Sequence, residues 1–590
     1  MKKRFTYTIL LIFLVGIFSC NRINNTVEKT PNILLIVTDD QAYGDLSHTG
    51  NSLLETPTLD QLAQSGVFAN HFYVSPVCAP TRASLLTGRY HQKTGVSGVT
   101  RGREDMQLDE ETMADIFKSF GYRTGIFGKW HNGAHYPYHP LGRGFDEFVG
   151  FTSGHWSNYF NTKIEKNGAD FQTEGYLTDV LTNEAIKFIE DCSSVEKAFF
   201  CYLPYQTPHT PLQVPDRYFN KYKQKGVDDF NACIYGMCEN IDDNVQRLLE
   251  KLDQLEEKEN TIVIFLSDNG PLNNRFNNGL KGRKGMLDEG GVRVPFILNW
   301  PKINDHGKEI EASLAHIDLL PTILELIGKD YEFKNKIDGE SFAKLITSNS
   351  EMKKRKIFGE WSGKSRVLSD PYLMVGEALY DIRKDPNQEV NIREQNREIY
   401  QQLKDDYQRW YGELQLNQIE NKAIPIGYKE YPKSVLPAHE ANLYPPYEFR
   451  KDRRHTGIAY HSLYGWAHDW IDFWTSEDAY PQWKVEVVTK AQYAIELQYA
   501  LEPENVGVEI SIQIGDQIIN KKINQAYIHK QYPNYDRVER SQEAPETNWG
   551  TLQLGTLELQ QGIKVVKVRS IKIPGNKSIE LKSLKLIRQL

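Results

Sequence analysis

Cysteine is scarce in this chain: six positions in 590 residues, with no CxxC spacing anywhere. That excludes a disulfide-dense scaffold and a thiolate zinc site. Positive charge is not in excess either. Seventy Lys and Arg stand against 78 Asp and Glu, a formal charge of −8, which argues against a dedicated nucleic-acid binder. After the first twenty residues no apolar run reaches the ~18 residues that a membrane-spanning helix needs. Internal repeats and low-complexity tracts are absent, so solenoid and array architectures are excluded. What remains is ordinary globular composition, 40% apolar and 25% charged, long enough for two or three domains.

Lys2, Lys3 and Arg4 precede an apolar run from Ile9 to Phe18, the pattern of an export signal over residues 1–20. Ile17, Phe18, Ser19 and Cys20 resemble a bacterial lipoprotein box, in which the cysteine is lipidated; plain secretory cleavage near the same place is the alternative. Either way the expected location is exported, in the periplasm or as an outer-membrane or cell-surface lipoprotein of a Gram-negative bacterium, with membrane contact only through the lipid. Cys78, Cys192, Cys201, Cys233 and Cys238 remain, an odd number that leaves at least one unpaired. Cys233 and Cys238 fall in a predicted helix from Asp228 to Leu255, where a spacing of five puts them on different faces.

From Asn32 to about Trp300 short apolar runs alternate with amphipathic stretches, which predicts an α/β domain. Four runs end in polar chemistry: Asn32 to Thr38 at Asp39 and Asp40, Tyr122 to Phe127 at Gly128 to His131, Ala198 to Leu203 ahead of His209, and Thr261 to Ser267 at Asp268 and Asn269. In open parallel sheets ligands bind outside the carboxyl ends of the strands, so these residues are expected to converge on one crevice. The expected organisation is a catalytic α/β domain over 31–330, an α+β subdomain over 331–418 with helical periodicity from Glu394 to Leu414, and a Pro- and Tyr-rich connector over 419–465. A further helix is expected from Ala315 to Ile327. Strict alternation after Trp466, as in Tyr493, Ile495, Leu497 and Tyr499, predicts an appended all-β sandwich over 466–590.

Cys78 opens the string CAPTRASLLTGR, in which Pro80 allows a helix to start and places the sulfur among free backbone N–H groups, where an anion is favoured. A buried inert cysteine is the plain alternative. Asp39, Asp40, Asp268 and Asn269 form an all-oxygen set suited to Ca²⁺, or less well Mg²⁺, rather than Zn²⁺; taken singly, the Asp pair could cap a helix and SDNG could be a turn. Arg82, Lys129 and Lys284 bring fixed positive charge, and His131 and His209 are residues that titrate near neutrality.

The CAPTR string with Thr87-Gly88 closely resembles the signature of the type I sulfatases, whose cysteine is oxidised after synthesis to formylglycine. Asp39-Asp40, GKWH at 128–131, PHTP at 208–211, SDNG at 267–270 and KGMLDEGGVRVP at 284–295 resemble the family's other landmarks in the same order. The resemblance covers about residues 31–415. It implies an alkaline-phosphatase-like mixed sheet sandwiched by helices, one Ca²⁺ bound by Asp39, Asp40, Asp268, Asn269 and residue 78, and maturation of Cys78 by a formylglycine-generating enzyme. It implies catalytic roles for Cys78, Arg82, Lys129, His131, His209 and Lys284, with Lys129, His209 and Lys284 also on the substrate: attack by residue 78, a proton from His209 or Lys284 to the leaving alcohol, and His131 as the later base.

The function expected is hydrolysis of sulfate monoesters, on sulfated carbohydrate. The alternatives are a phosphatase or phosphonate monoester hydrolase of the same superfamily, and a non-catalytic binder of sulfated glycans. Arg293 reads as structural, with Glu289 as its partner. Arg101, Arg103, His135, His139, Arg143, His155, Trp156 and the loop Asn273 to Asn278 are candidates for specificity, against ordinary loop solvation. The run Arg450 to His455 and Trp466, Trp470 and Trp474 are candidates for contact with an anionic polymer, against interdomain packing.

Overall fold

The computed structural model describes residues 29–589 except 304–306, 349, 415–421, 447–451, 463, 531 and 541. The export signal with Cys20, and Arg450 and Lys451 of the basic run, lie outside the described residues. Among the described residues no helix is long and apolar enough to cross a membrane.

The catalytic domain is built on a ten-stranded mixed sheet. Its strands run in the order Lys308–Ile310, Val67–Ala69, Phe296–Asn299, Thr261–Ser267, Asn32–Thr38, Phe199–Pro204, Arg123–Lys129, Glu147–Phe151, Lys163–Lys166 and Ala169–Gln172. The five from Thr261–Ser267 to Glu147–Phe151 are mutually parallel. Both faces of such strands must be covered, which is why they read as continuous apolar runs rather than as alternation. In Asn32–Thr38 every residue is buried. Leu34 and Ile36 enter one core with helices Leu177–Ser194 and Asp229–Gln254, while Ile33, Leu35 and Val37 enter the other with Cys78–Thr87, Met113–Ser119 and Leu319–Leu326. Cys233 and Cys238 are both free and buried in the helix Asp229–Gln254.

A smaller unit follows: an antiparallel sheet of Ile357–Trp361, Lys364–Ser369, Tyr372–Val375 and Ala378–Asp381, covered by the helix Arg397–Glu413. The C-terminal unit is a sandwich of two sheets enclosing one apolar core. Its boundary differs from the expected one. The segment read as a connector over 419–465 supplies the strands Ile424–Ile426, Lys433–Pro437, Asn442–Tyr444 and Ile458–Tyr460, which pair with Tyr480–Val487, Glu580–Arg588 and Ile471–Trp474. Ile426, Leu436, Leu443 and Ile458 lie in the sandwich core. These strands are three to five residues long and two of them carry proline, so their partners rather than their own pattern specify them.

Candidate active site

Strand register brings the acidic residues together. Thr38 pairs with Ser267 across two parallel strands, so the next residues of each, Asp39-Asp40 and Asp268-Asn269, leave the sheet side by side. The Asp268 amide donates to Thr38 O at 3.0 Å and the Asp40 amide to Asp268 Oδ1 at 3.3 Å. Asp40 has φ +69°, a left-handed conformation sparse outside glycine. It is fixed by Arg275, which donates to Asp40 O at 2.9 Å and is ion-paired with the buried Asp45. Gly270 closes the turn so tightly that a Cβ there would sit 2.0 Å from Gly290 O, which accounts for glycine in SDNG.

Cys78 is the first residue of its helix. Val77 before it is extended at φ −148°, ψ 158°, and Gly88 ends the helix in the left-handed conformation at φ 69°. All ten residues between are buried. The sulfur therefore lies at the positive end of a helix beneath the protein surface, where backbone N–H groups favour negative charge. Asp39, Cys78 and Asp268 offer ligand atoms that all lie within 4.8 Å of one another, and so do Asp39, Asp40 and His209.

Each carboxylate has its own cation. Arg82, one helical turn after Cys78, donates to Asp268 Oδ2 from Nε at 3.0 Å and Nη2 at 2.7 Å, and from Nη1 to Lys129 O at 3.0 Å. Lys129 donates to Asp39 Oδ2 at 2.6 Å, and Lys284 to Asp40 Oδ1 at 2.6 Å. Burial alone would raise the Asp39 carboxyl, but Lys129, His209, Arg82 and Lys284 outweigh it and hold Asp39 well below the usual range. Burial and the neighbouring Asp39 charge push Asp268 up to about 7, against the pull of Arg82. Lys284 is raised: burial opposes this, and Asp40 dominates.

The oxygens left over define a cation site. Asp39 Oδ1, Asp40 Oδ2 and Asn269 Oδ1 are buried without a protein partner. Buried polar atoms are nearly always paired, so three orphaned hard oxygens in one cluster fit a divalent ion that prefers oxygen. Asp39, Asp40, Asp268 and Asn269 would hold it, beside residue 78.

The two histidines occupy different settings. His209 hydrogen-bonds Thr210 O through Nδ1 at 2.7 Å, so Nδ1 carries the proton and Nε2, 3.8 Å from Asp40 Oδ2, is the nitrogen able to gain and release one. His131 has φ +61° and is buried. Its Nε2 donates to Val99 O at 2.9 Å, leaving Nδ1 as the lone-pair atom without a protein partner. Burial, reinforced by the Lys129 charge, holds His131 well below its ordinary value. The expectation that it titrates near neutrality is therefore corrected: it is a neutral imidazole.

The specificity candidates divide. Arg101 reaches His439 O and Gly465 O, and His135 Nε2 lies 2.8 Å from Glu440, so both dock the sandwich. Arg143 donates to Glu110 O, Arg103 to Thr100 O, and His139 packs on Phe148 and Tyr431. Asn273 accepts from Arg275 and Asn277 holds the Gly44 amide, so that loop supports Asp40. These are structural contacts. His155 and Trp156 stay beside the site, with the His155 ring parallel to His209 at 6.3 Å between centroids. Trp474 is fully buried in the sandwich core and Trp470 donates to Glu580, so packing explains them. Glu289 lies 3.9 Å from Arg293 but is bound more closely by Arg366 at 2.8 Å and Tyr73 at 3.0 Å; Arg293 also packs on the Tyr43 ring.

Sequence reasoning missed Asn132, which donates to Ala79 O at 3.0 Å, and Tyr159, whose hydroxyl bonds His209 O and Thr210 O. It also missed His468, which reaches this edge from the sandwich. Asn132 follows GKWH directly and was legible; the other two carry no local signal.

A mixed-sheet α/β fold with paired cations and an oxygen-lined ion site around a buried cysteine defines a protein built to handle a small tetrahedral anion. Residues 31–329 match the family model described as Sulfatase, and the chain belongs to the sulfatase family. It is 31% identical to arylsulfatase J of Mus musculus over 338 residues, 54% of this chain and 56% of that protein. It is 32% identical to N-acetylgalactosamine-6-sulfatase of Canis lupus familiaris over 347 residues, 53% of this chain and 65% of that protein. The matches thus span between half and two-thirds of these relatives. The crystal structure of Ps i-CgsB in complex with k-i-k-neocarrahexaose is similar with a TM-score of 0.62 at 29% identity, covering 67% of this chain and 95% of that one.

Proposed function

We propose that this chain hydrolyses sulfate monoesters on sulfated carbohydrate, with Cys78 matured to formylglycine and one Ca²⁺ beside it. The observation that carries the reading is the packing of Cys78 at a helix N-terminus among Arg82, Lys129 and Lys284, each bound to a carboxylate, with the second oxygens of Asp39 and Asp40 orphaned. Carbohydrate as substrate is supported by the neocarrahexaose complex of the structural neighbour and by the relative named for N-acetylgalactosamine-6-sulfate chemistry.

The residues divide the work by position. A sulfate ester carries charge that grows on the departing oxygen as the S–O bond breaks, and fixed cations in a buried site stabilise it without reorganising. Lys129 and Lys284 point ammonium groups into the site from opposite carboxylates and can share them with sulfate oxygens. Arg82 holds Asp268 and, through Lys129 O, the Lys129 backbone. His209 Nε2 is placed to give a proton to the leaving alcohol. His131 Nδ1, kept unprotonated by burial, is a lone pair ready to accept one. Formylglycine at 78, once made, would supply as its hydrate a hydroxyl nucleophile with a second hydroxyl on the same carbon, which a plain thiol or alcohol lacks. A divalent cation held by Asp39, Asp40, Asp268 and Asn269 would supply Lewis-acid charge to the site.

Under the same reading a formylglycine-generating enzyme matures the chain, and residues 1–20 export it, with Cys20 lipidated or simply cleaved near. The test is sulfate release from sulfated oligosaccharides by protein co-expressed with a maturation enzyme, beside an aryl sulfate and matched phosphate and phosphonate esters. Turnover of the aryl sulfate with no sugar hydrolysed overturns the carbohydrate assignment. Faster phosphate or phosphonate hydrolysis overturns the sulfate one, and an intact thiol at 78 in protein from its native host favours glycan binding without turnover.

A further inference from the structure

We propose that His155 contacts the sugar that carries the sulfate, taking one of its hydroxyl groups at Nε2, and that His468 of the C-terminal sandwich positions His155 for this. The inference rests on the sulfate-ester reading and names the part of the site that recognises the leaving alcohol.

His155 is only 8% exposed, and its Nε2 is buried without a protein partner. An orphaned nitrogen is costly inside a protein unless a ligand completes it. Its place says which ligand. The His155 and His209 rings lie parallel, 6° apart in plane and 6.3 Å between centroids, and His209 in turn faces Asp40. His155 therefore stands one ring layer from the group proposed to protonate the leaving oxygen, beside where the departing alcohol would lie. A sugar sulfate carries hydroxyl groups around the ring that bears the ester; a simple aryl sulfate carries none. Burial, with the charge of His209 adding to it, keeps His155 neutral, and a neutral imidazole nitrogen can accept from or donate to a hydroxyl according to its tautomer.

His155 does not hold this place through its own domain alone. His468 lies 313 residues further on, and its Nε2 donates to His155 O at 2.9 Å. That nitrogen is also 2.9 Å from Ser153 Oγ, whose hydroxyl donates to the same carbonyl. The His468 ring packs edge-on against Trp156 at 4.4 Å and against His155 at 5.5 Å. His468 has φ +67°, a conformation that persists for such a residue only where surrounding contacts enforce it; Lys582 donates to its carbonyl. A second arm of the sandwich reaches the other side: Glu543 accepts from Thr210 Oγ1 at 2.6 Å, next to His209. The sandwich therefore forms part of the wall of the substrate cleft.

The experiment uses the full matured chain and compares kcat/KM on a sulfated oligosaccharide that it hydrolyses with kcat/KM on an aryl sulfate. For His155→Ala the oligosaccharide value is expected to fall at least about 10-fold more than the aryl value, the scale of losing a hydrogen bond to a substrate hydroxyl. His155→Gln, which restores a polar group of similar reach, should recover part of that ratio. His468→Ala should show the same bias at about 3- to 10-fold, mainly as a higher KM for the oligosaccharide, since it acts through His155. Thermal unfolding of each variant separates misfolding from the effect, and His155→Gln carries the test if His155→Ala does not fold. Equal losses on both substrates overturn the proposal, as does an unchanged ratio. If the unaltered protein cleaves the aryl sulfate but no sugar, this inference fails while the sulfatase reading stands; if matured protein cleaves neither, both fail.

Discussion

In the sandwich, Trp474, Trp483, Ile495, Leu497, Ile510 and Ile512 fill the space between two sheets; at the carboxyl edge of the catalytic sheet, Asp39, Arg82, Lys129, Asp268 and Asn269 are just as deeply buried. One region removes apolar surface from water, each large side chain worth roughly 1.5–3 kcal/mol. The other removes charges from water, which is unfavourable unless every charge has a partner. Most of the charge there is paired, and among the exceptions are Asp39 Oδ1, Asp40 Oδ2 and Asn269 Oδ1. The difference teaches that deep burial has two meanings in this chain, and that the orphaned atoms tell them apart.

The comparison can be broken most decisively at residue 78. Cys78→Ser or Cys78→Ala, made in a host without the maturation enzyme, should release sulfate about 10³-fold or more slowly than matured protein, with little change in thermal midpoint. Rates equal to the matured enzyme would remove the basis for a specialised nucleophile.

Next in size are two deletions of buried bulk. Arg82→Met strands the Asp268 carboxylate and should destabilise by about 3–5 kcal/mol, with activity lost even in the fraction that remains folded. Trp474→Ala should cost a similar ~3–5 kcal/mol through its cavity, yet leave kcat on an aryl sulfate intact below the new unfolding temperature. Calorimetry and kinetics on the same preparations distinguish the two; a fall in kcat for Trp474→Ala matching that for Arg82→Met would erase the contrast between regions.

Calcium sharpens it further. At a free concentration of about 100 times Kd, Ca²⁺ should stabilise the protein by about 2.7 kcal/mol, Mg²⁺ by less, and Asp39→Asn should abolish the effect in a thermal shift assay. An equal shift for Asp39→Asn would place the ion elsewhere.

The smallest effect concerns the seam between the regions. His135, paired with Glu440, is raised: burial opposes this and the Glu440 charge outweighs it. Burial raises Asp105 to about 6. A raised histidine contributes stability that is present below its unfolded value and lost as pH rises through its folded one. A raised carboxyl penalises the folded state increasingly above its unfolded value, fully so above about 6. Both signs agree, so the seam should loosen as pH rises, Asp105 contributing on the way up to about 6 and His135 above it. His135→Ala should flatten that slope by about 1 kcal/mol, read as Tm against pH; an unchanged slope would assign it to other groups.

Much of the site was legible because its residues end apolar runs. Asp39-Asp40, Lys129 and Asp268-Asn269 each follow a strand that local composition announces, and open sheets place such residues at one edge. The Cys78 string carried its own helix start. The strands between Ile424 and Tyr460 read as a connector in the sequence because strands of three to five residues show no periodicity; their hydrogen bonds belong to Tyr480–Val487, Ile471–Trp474 and Glu580–Arg588. Arg101 and His135, candidates for specificity against ordinary loop solvation, dock the sandwich instead, because polar loop side chains look alike whether they meet a ligand or another domain.

By itself the sequence settled which groups are available: a cysteine opening a helix, oxygens after two strands, and three cations in separate motifs. Those facts are local, set by a few neighbouring residues and by the periods of strand and helix. Only the tertiary structure decided which cation meets which carboxylate, which oxygens stay unpaired, that His131 is neutral, and that a histidine from the sandwich braces the loop beside His209. Each of these depends on distance and burial between residues tens to hundreds of positions apart, and no pattern along a chain encodes them.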